Sequence, residues 1–121
     1  MNSKEIMEIA VKAADSKHAN DIKVLDISKV SIMTDYFVIM DANSQRQVGA
    51  IVQEILDQAG ENDIKVGHVE GKRDSEWILI DLHDVVIHVF TTEQRDFYNL
   101  EKLWSDAPEV DVSSLVTAND L

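Results

Sequence analysis

Trp77-Ile78-Leu79-Ile80-Asp81-Leu82-His83-Asp84-Val85-Val86-Ile87-His88-Val89-Phe90 is the stretch whose reading decides the fold. Two apolar runs rich in β-branched residues are joined by too little chain for anything but a tight turn. They read as a hairpin with strands over residues 77–81 and 84–90. With Leu82 and His83 as the loop, antiparallel pairing sets Asp81 opposite Asp84, Leu79 opposite Val86 and Trp77 opposite His88. Alternation then separates two faces. Ile78, Ile80, Val85 and Ile87 form a core face, whereas Trp77, Leu79, Val86, His88 and the two Asp residues make a half-apolar, half-acidic face suited to docking. Like charges set opposite each other are unfavourable, so Asp81 and Asp84 would be relieved by a basic partner. The plainer alternative has both splaying into water beside the turn. Pattern alone fits Trp77 equally well as covered core and as an interface anchor.

Outward from the hairpin, helices alternate with strands. Thr91 with Gln94 has the spacing of a capping box and opens a last helix carrying Phe97, Leu100, Leu103 and Trp104. Upstream, residues 64–70 form a further strand candidate, and residues 71–76 a charged loop. Ser44 with Gln47 makes another capping box. After it Val48, Ile51, Val52, Ile55, Leu56 and Ala59 recur at helical spacing until Gly60 stops the helix. Residues 22–26 and 36–40 read as strands linked by a polar connection with Ser28, Ser31 and Thr34. Residues 3–17 read as a helix with Ile6, Ile9, Ala10 and Ala13 on one stripe and Asn2 with Glu5 as its capping pair. This order predicts an α/β domain, a mixed sheet covered by helices, over residues 1–107. Pro108 then introduces an acidic tail, residues 108–121, expected to be mobile.

A chain of 121 residues is long enough for one domain with its own core. It has no cysteine, which excludes disulfides, thiolate metal sites and a cysteine nucleophile, and fits a reducing compartment. The first ten residues lack the charge and apolar run of a signal peptide, and no apolar run reaches the ~20 residues of a membrane span. The expected location is the cytoplasm, without membrane association. Acidic residues number 23 against 11 basic, for a net charge of -12. Nucleic acid is bound largely by clustered Lys and Arg, so direct nucleic-acid binding is not expected. A strongly acidic protein is steered toward a basic partner instead, although excess acid also simply aids solubility.

Two separated sets of residues extend this reading. The first is Asp26, Ile27, Ser28, then Thr34 through Ile39, then Ser44 through Gln47. The second is Glu70, Gly71, Trp77, Asp81, Asp84, His88 and Phe90, followed by Arg95, Phe97, Tyr98, Leu100, Glu101, Leu103 and Trp104. In order and interval, over residues 3–106, the chain resembles the ribosomal silencing factor family, also called Iojap-related proteins. The resemblance implies a factor that binds the large ribosomal subunit and obstructs its joining to the small one, docking its sheet and neighbouring helix on large-subunit ribosomal protein fourteen. It favours Trp77 as an anchor. Tyr98, Glu101 and Lys102, on the flank of the last helix away from Phe97, Leu100 and Trp104, would extend that surface. His83 stands where the family pattern usually has Gly.

Arg46 falls in the first turn of a helix, whose positive end favours acids. It pairs either with Asp35, Asp41 or Glu70 inside the fold, or with a partner. The four histidines show no zinc-like spacing, and His88 reads as a strand residue beside Trp77. The family's fold is similar to that of nucleotidyltransferases, which makes a metal-dependent enzyme the main alternative. Such enzymes hold phosphates at a Gly/Ser helix start and magnesium on strand-borne carboxylates. Here only Ser44 of the Ala42-Asn43-Ser44 turn fits. The acid pairs Glu61 with Asp63, Asp74 with Glu76, and Glu109 with Asp111 fall in expected loops or the tail. The prediction is therefore a non-catalytic ribosome-binding protein without metal or cofactor. An acidic adaptor for another basic protein is the third reading, and the sequence leaves a homodimer open.

Overall fold

A computed structural model describes residues 1–71 and 76–116. Its elements are α1 (Ser3–Ser16), β1 (Asn20–Asp26), β2 (Tyr36–Ala42), α2 (Gln45–Glu61), β3 (His68–Glu70), β4 (Trp77–Asp81), β5 (Val85–Thr91), α3 (Thr92–Tyr98), α4 (Leu100–Leu103) and β6 (Glu109–Val110). The strands form one sheet in the order β3-β4-β5-β2-β1-β6. β2 and β5 run parallel at its centre, and the other neighbours are antiparallel. The α/β mixed sheet covered by helices is thus the observed fold.

α1 and α2 cover one face because each carries an apolar stripe. Met7, Ala10, Val11 and Ala14 of α1 and Val48, Ile51 and Ile55 of α2 are buried against Val38, Met40, Ile80, Ile87 and Val89. Asn2 caps α1 in a full capping box with Glu5. Ser44 accepts from the Gln47 N–H at 3.2 Å, but the Gln47 side chain does not return to the cap. Its amide donates to the carbonyls of Lys17 and His18 and ties α2 to the end of α1. Gly60 does not end α2. The helix runs one residue further, and Asn62, donating to the Gln58 carbonyl, closes it ahead of Asp63 in the left-handed region.

The hairpin turn lies one residue later than expected. Leu82 donates to the Val85 carbonyl at 2.9 Å, so His83 and Asp84 are the loop residues, and His83 takes the left-handed conformation at φ 71. Trp77 pairs with Phe90, Leu79 with His88 and Asp81 with Val86. The reason is Leu82, which is 3% exposed and continues the inward alternation of Ile78 and Ile80. Placing it in the loop would have put a leucine in water. Each β4 residue therefore pairs two positions further along β5, and because two is even the faces stay as the sequence reading placed them.

The expected strand over residues 64–70 shrinks to β3, and the single last helix is broken. Asn99 adopts the left-handed conformation at φ 47, splitting it into α3 and α4, and Thr91 makes no side-chain cap bond. The break turns Phe97 and Leu103 outward, both above 70% exposed, against the stripe read from the sequence. The mobile tail is also corrected as far as it is described. Glu109 and Val110 pair with Leu25 and Val24, Pro108 accepts from the Asp26 N–H, and Val112 is buried with Leu115 and Val116 packed beside it. Three apolar side chains at i, i+3 and i+4 were the signal. Residues 117–121 lie outside the described residues. A chain ending at Ala107 is consequently expected to lose about 3 kcal/mol or more of stability, since each buried valine or leucine is worth roughly 1.5–3 kcal/mol. Urea unfolding checks this; an unchanged midpoint would show that the segment contributes nothing to the domain.

Candidate docking face

The sheet face opposite α1 and α2 is covered only in part. α4 and the chain after it set Leu100, Trp104 and Ala107 over Leu25, Ile27, Ile39 and Phe90. Beside them lies an aromatic cluster. Trp77 stacks on Phe90 at 5.1 Å, Tyr98 sits 4.7 Å from Trp77, and Phe37 meets both His88 and Trp104 edge-on. Trp77, Leu79, Asp81 and Val86 are half-buried, and Tyr98 remains 45% exposed. Rings that are fixed below and open above make low-entropy contact surface, because little side-chain freedom is left to lose on binding.

His88 belongs to the foundation of this face. It is 5% exposed. The Trp77 indole N–H donates to its Nδ1 at 3.2 Å, which sets the proton on Nε2, a buried atom without a hydrogen-bond partner among the described residues. Burial pushes the imidazole down to about 4, so His88 is neutral at pH 7 and orients Trp77 without adding charge. Asp81 is braced at the rim: Oδ1 accepts from the His83 N–H at 2.7 Å, and Oδ2 lies 3.3 Å from His68 Nδ1. Asp84 is exposed in the turn, where its carbonyl accepts from the N–H groups of Asp35 and Tyr36. The expected cross-strand pair of Asp81 with Asp84 is not formed, because the turn residue Asp84 has no strand partner. Both carboxylates still fall at the same end of the hairpin.

Two of the residues singled out from the sequence are placed elsewhere. Glu101 accepts from Arg95 Nη2 at 3.0 Å and from Nε at 3.3 Å; its carboxylate is engaged inside the fold. Arg46 is exposed on the α2 side of the sheet, in a groove with Gly49, Val69 and Ile78, away from Trp77. Of its expected partners Asp35, Asp41 and Glu70, the last two are bonded to other residues, and among the described residues no ion pair joins Arg46 to Asp35. Asp74 lies outside the described residues. Lys102 is exposed on α4.

Sequence reasoning did not single out the clasp that holds this face together. Arg95 is 5% exposed. Besides Glu101 it donates to Asp41 Oδ2 at 2.9 Å and to the Asp21 and Asn20 carbonyls at 2.6 and 3.3 Å. Those carbonyls converge because β1 has a bulge between Asn20 and Lys23, with Asp21 at φ 48. Burial by itself would lower the guanidinium pKa, but the bonds from Glu101 and Asp41 and the charge of Asp21 outweigh it and raise the value. Arg95 thus ties α3 and α4 to the ends of β1 and β2. The available signal was one cation among acids at the start of a helix that had to pack.

A family model described as ribosomal silencing factor during starvation matches residues 1–120. The chain belongs to the ribosomal silencing factor family. It is 52% identical to ribosomal silencing factor RsfS of Bacillus subtilis, over 93% of this chain and 95% of that one. It is 37% identical to chloroplastic protein Iojap of Zea mays, over 84% of this chain and 44% of the maize protein. A crystal structure from Bacillus halodurans superposes with a TM-score of 0.81 at 41% identity, covering 91% of this chain and all of that one. Among the described residues no group of three or more His, Cys, Asp or Glu is arranged to hold a metal ion. No described helix is long and apolar enough to cross a membrane.

Proposed function

We propose that this protein silences ribosomes without catalysis, by docking the Trp77 face on large-subunit ribosomal protein fourteen and occupying space the small subunit needs. The observation that carries the reading is the half-covered aromatic face, Trp77 braced by His88 and Phe90 and continued by Tyr98, in a member of the ribosomal silencing factor family. The hairpin end of that face is acidic through Asp81 and Asp84, and the whole chain carries -12. A basic protein surface complements it in sign, which raises the encounter rate and fixes orientation. Contact with bare RNA would set acid against phosphate. Glu101 and His88 serve this surface from within, as supports, and Arg46 lies outside it.

Steric exclusion needs only affinity and position, and it has a kinetic signature. Added in excess to separated subunits, the protein is expected to reduce formation of joined ribosomes, with much less effect on ribosomes already joined. A site covered by the small subunit opens only when the subunits part, so the two binders compete by mass action. Sedimentation profiles at fixed magnesium read this directly. Undiminished joining with the protein bound to the large subunit would refute steric silencing. No sedimentation with the large subunit would refute the docking itself.

A further inference from the structure

The connection between β1 and β2 holds three large apolar side chains in water. Val30 is 64% exposed, Met33 79% and Ile32 fully so. The loop is nevertheless well built. The Val30 and Ser31 N–H groups donate to the Ile27 carbonyl at 3.0 and 2.9 Å. Ser31 Oγ accepts from the N–H groups of Met33 and Thr34, both at 3.2 Å. Asp26 accepts from the Ser28 N–H and hydroxyl. These bonds use backbone and small polar groups, so Val30, Ile32 and Met33 are presented at the tip by a framework that does not need them. Exposed apolar groups on an ordered loop mark interaction sites, and a preformed loop loses little entropy on binding.

Position and charge name the occupant. Thr34 donates to the His83 carbonyl at 3.2 Å, and Asp35 and Tyr36 donate to the Asp84 carbonyl. The loop therefore abuts the acidic hairpin turn at the end of the docking face. From Asp26 to Asp35 the connection carries two acids and one cation, Lys29, and the turn it abuts adds Asp84. The hydrogen bonds from Ser28 hold the Asp26 carboxyl below its usual range, keeping it charged. We propose that this tip is a second anchor of the same docking surface, inserting Ile32 and Met33 into an apolar recess rimmed by Lys or Arg on the large-subunit protein that receives Trp77. This rests on the docking reading above and adds to it what the partner must offer beside the Trp77 contact.

The test uses the full chain and purified large subunits. The double variant Ile32→Ser/Met33→Ser removes exposed side chains only, so its thermal midpoint should match that of the original protein while its Kd for large subunits rises at least tenfold. The chain has no cysteine, so Ile32→Cys carries a single photocrosslinker at the tip. Its crosslink is expected on a ribosomal protein, at a segment with apolar and basic residues. Equal affinity of the serine variant overturns the proposal, as does a crosslink to ribosomal RNA or to a second copy of this chain. If the original protein itself fails to bind large subunits, the docking reading falls and this inference with it. A weakened serine variant beside an intact binder supports both.

Discussion

Arg95→Ala is expected to destabilise the protein by about 3–5 kcal/mol, the scale for breaking a buried charge pair by removing one partner. Asp41, whose side chain is 8% exposed, would be left, among the described residues, with the Thr92 hydroxyl at 2.9 Å. The carbonyls of Asn20 and Asp21 would lose their donor, and Glu101 its link to the sheet. A carboxylate held in a dry site without a counter-charge costs far more than the net worth of the original pair. Arg95→Lys should recover little, because one ammonium cannot reproduce a fork that reaches four residues. Combining Arg95→Met with Asp41→Leu should recover much of the loss by removing both charges. Urea unfolding measures all three variants; a cost below about 1 kcal/mol for Arg95→Ala would mean that solvent already reaches the cluster.

Trp77→Ala should weaken binding to the large subunit by at least about 2 kcal/mol, roughly thirtyfold in Kd, as expected for an anchor residue. The indole also stacks on Phe90 and bonds to His88, so truncation will cost some stability as well, on the order of 1–3 kcal/mol for a half-buried ring. Leu79→Ala, on the same face, separates the two effects. If stability were the whole cause, variants with equal loss of stability would bind alike wherever the mutation lay. A buried change on the α1 and α2 side, such as Ile55→Val, provides that control. Binding that follows stability across these variants would remove Trp77 from the interface.

The hairpin illustrates how much of the site was legible. Alternation is a local property, and it assigned Ile78, Ile80, Val85 and Ile87 to the core face and Trp77, Leu79 and Val86 to the other. The pairing was missed by two positions because a short turn can be placed on either side of Leu82, and the burial of that leucine decides between them. The last helix shows the opposite case. A continuous helix from Thr91 would have buried Phe97, but the left-handed Asn99 redirects the chain so that α4 reaches back over Phe37 and Ile39. No periodicity announces such a break, since Asn is tolerated in helices and the turn is rewarded by tertiary contacts, the carboxylate of Glu101 meeting Arg95 and Leu100 and Trp104 packing on the sheet.

By itself the sequence determined the class of fold, the order of helices and strands as far as α3, the acidic balance of the chain, and the family. All of these are written in spacing, composition and motif order along the chain. Only the tertiary structure decided the parallel union of β2 with β5, the capture of residues 109–116 as part of the domain, and the burial of His88 beneath Trp77. It also turned Glu101 from a surface acid into a support for α4. The first two join residues far apart in sequence and the others residues 11 and 6 positions apart, and in every case a side chain's role is set by the partner that closes over it: the same carboxylate is a docking group in water and a clasp beside a buried guanidinium.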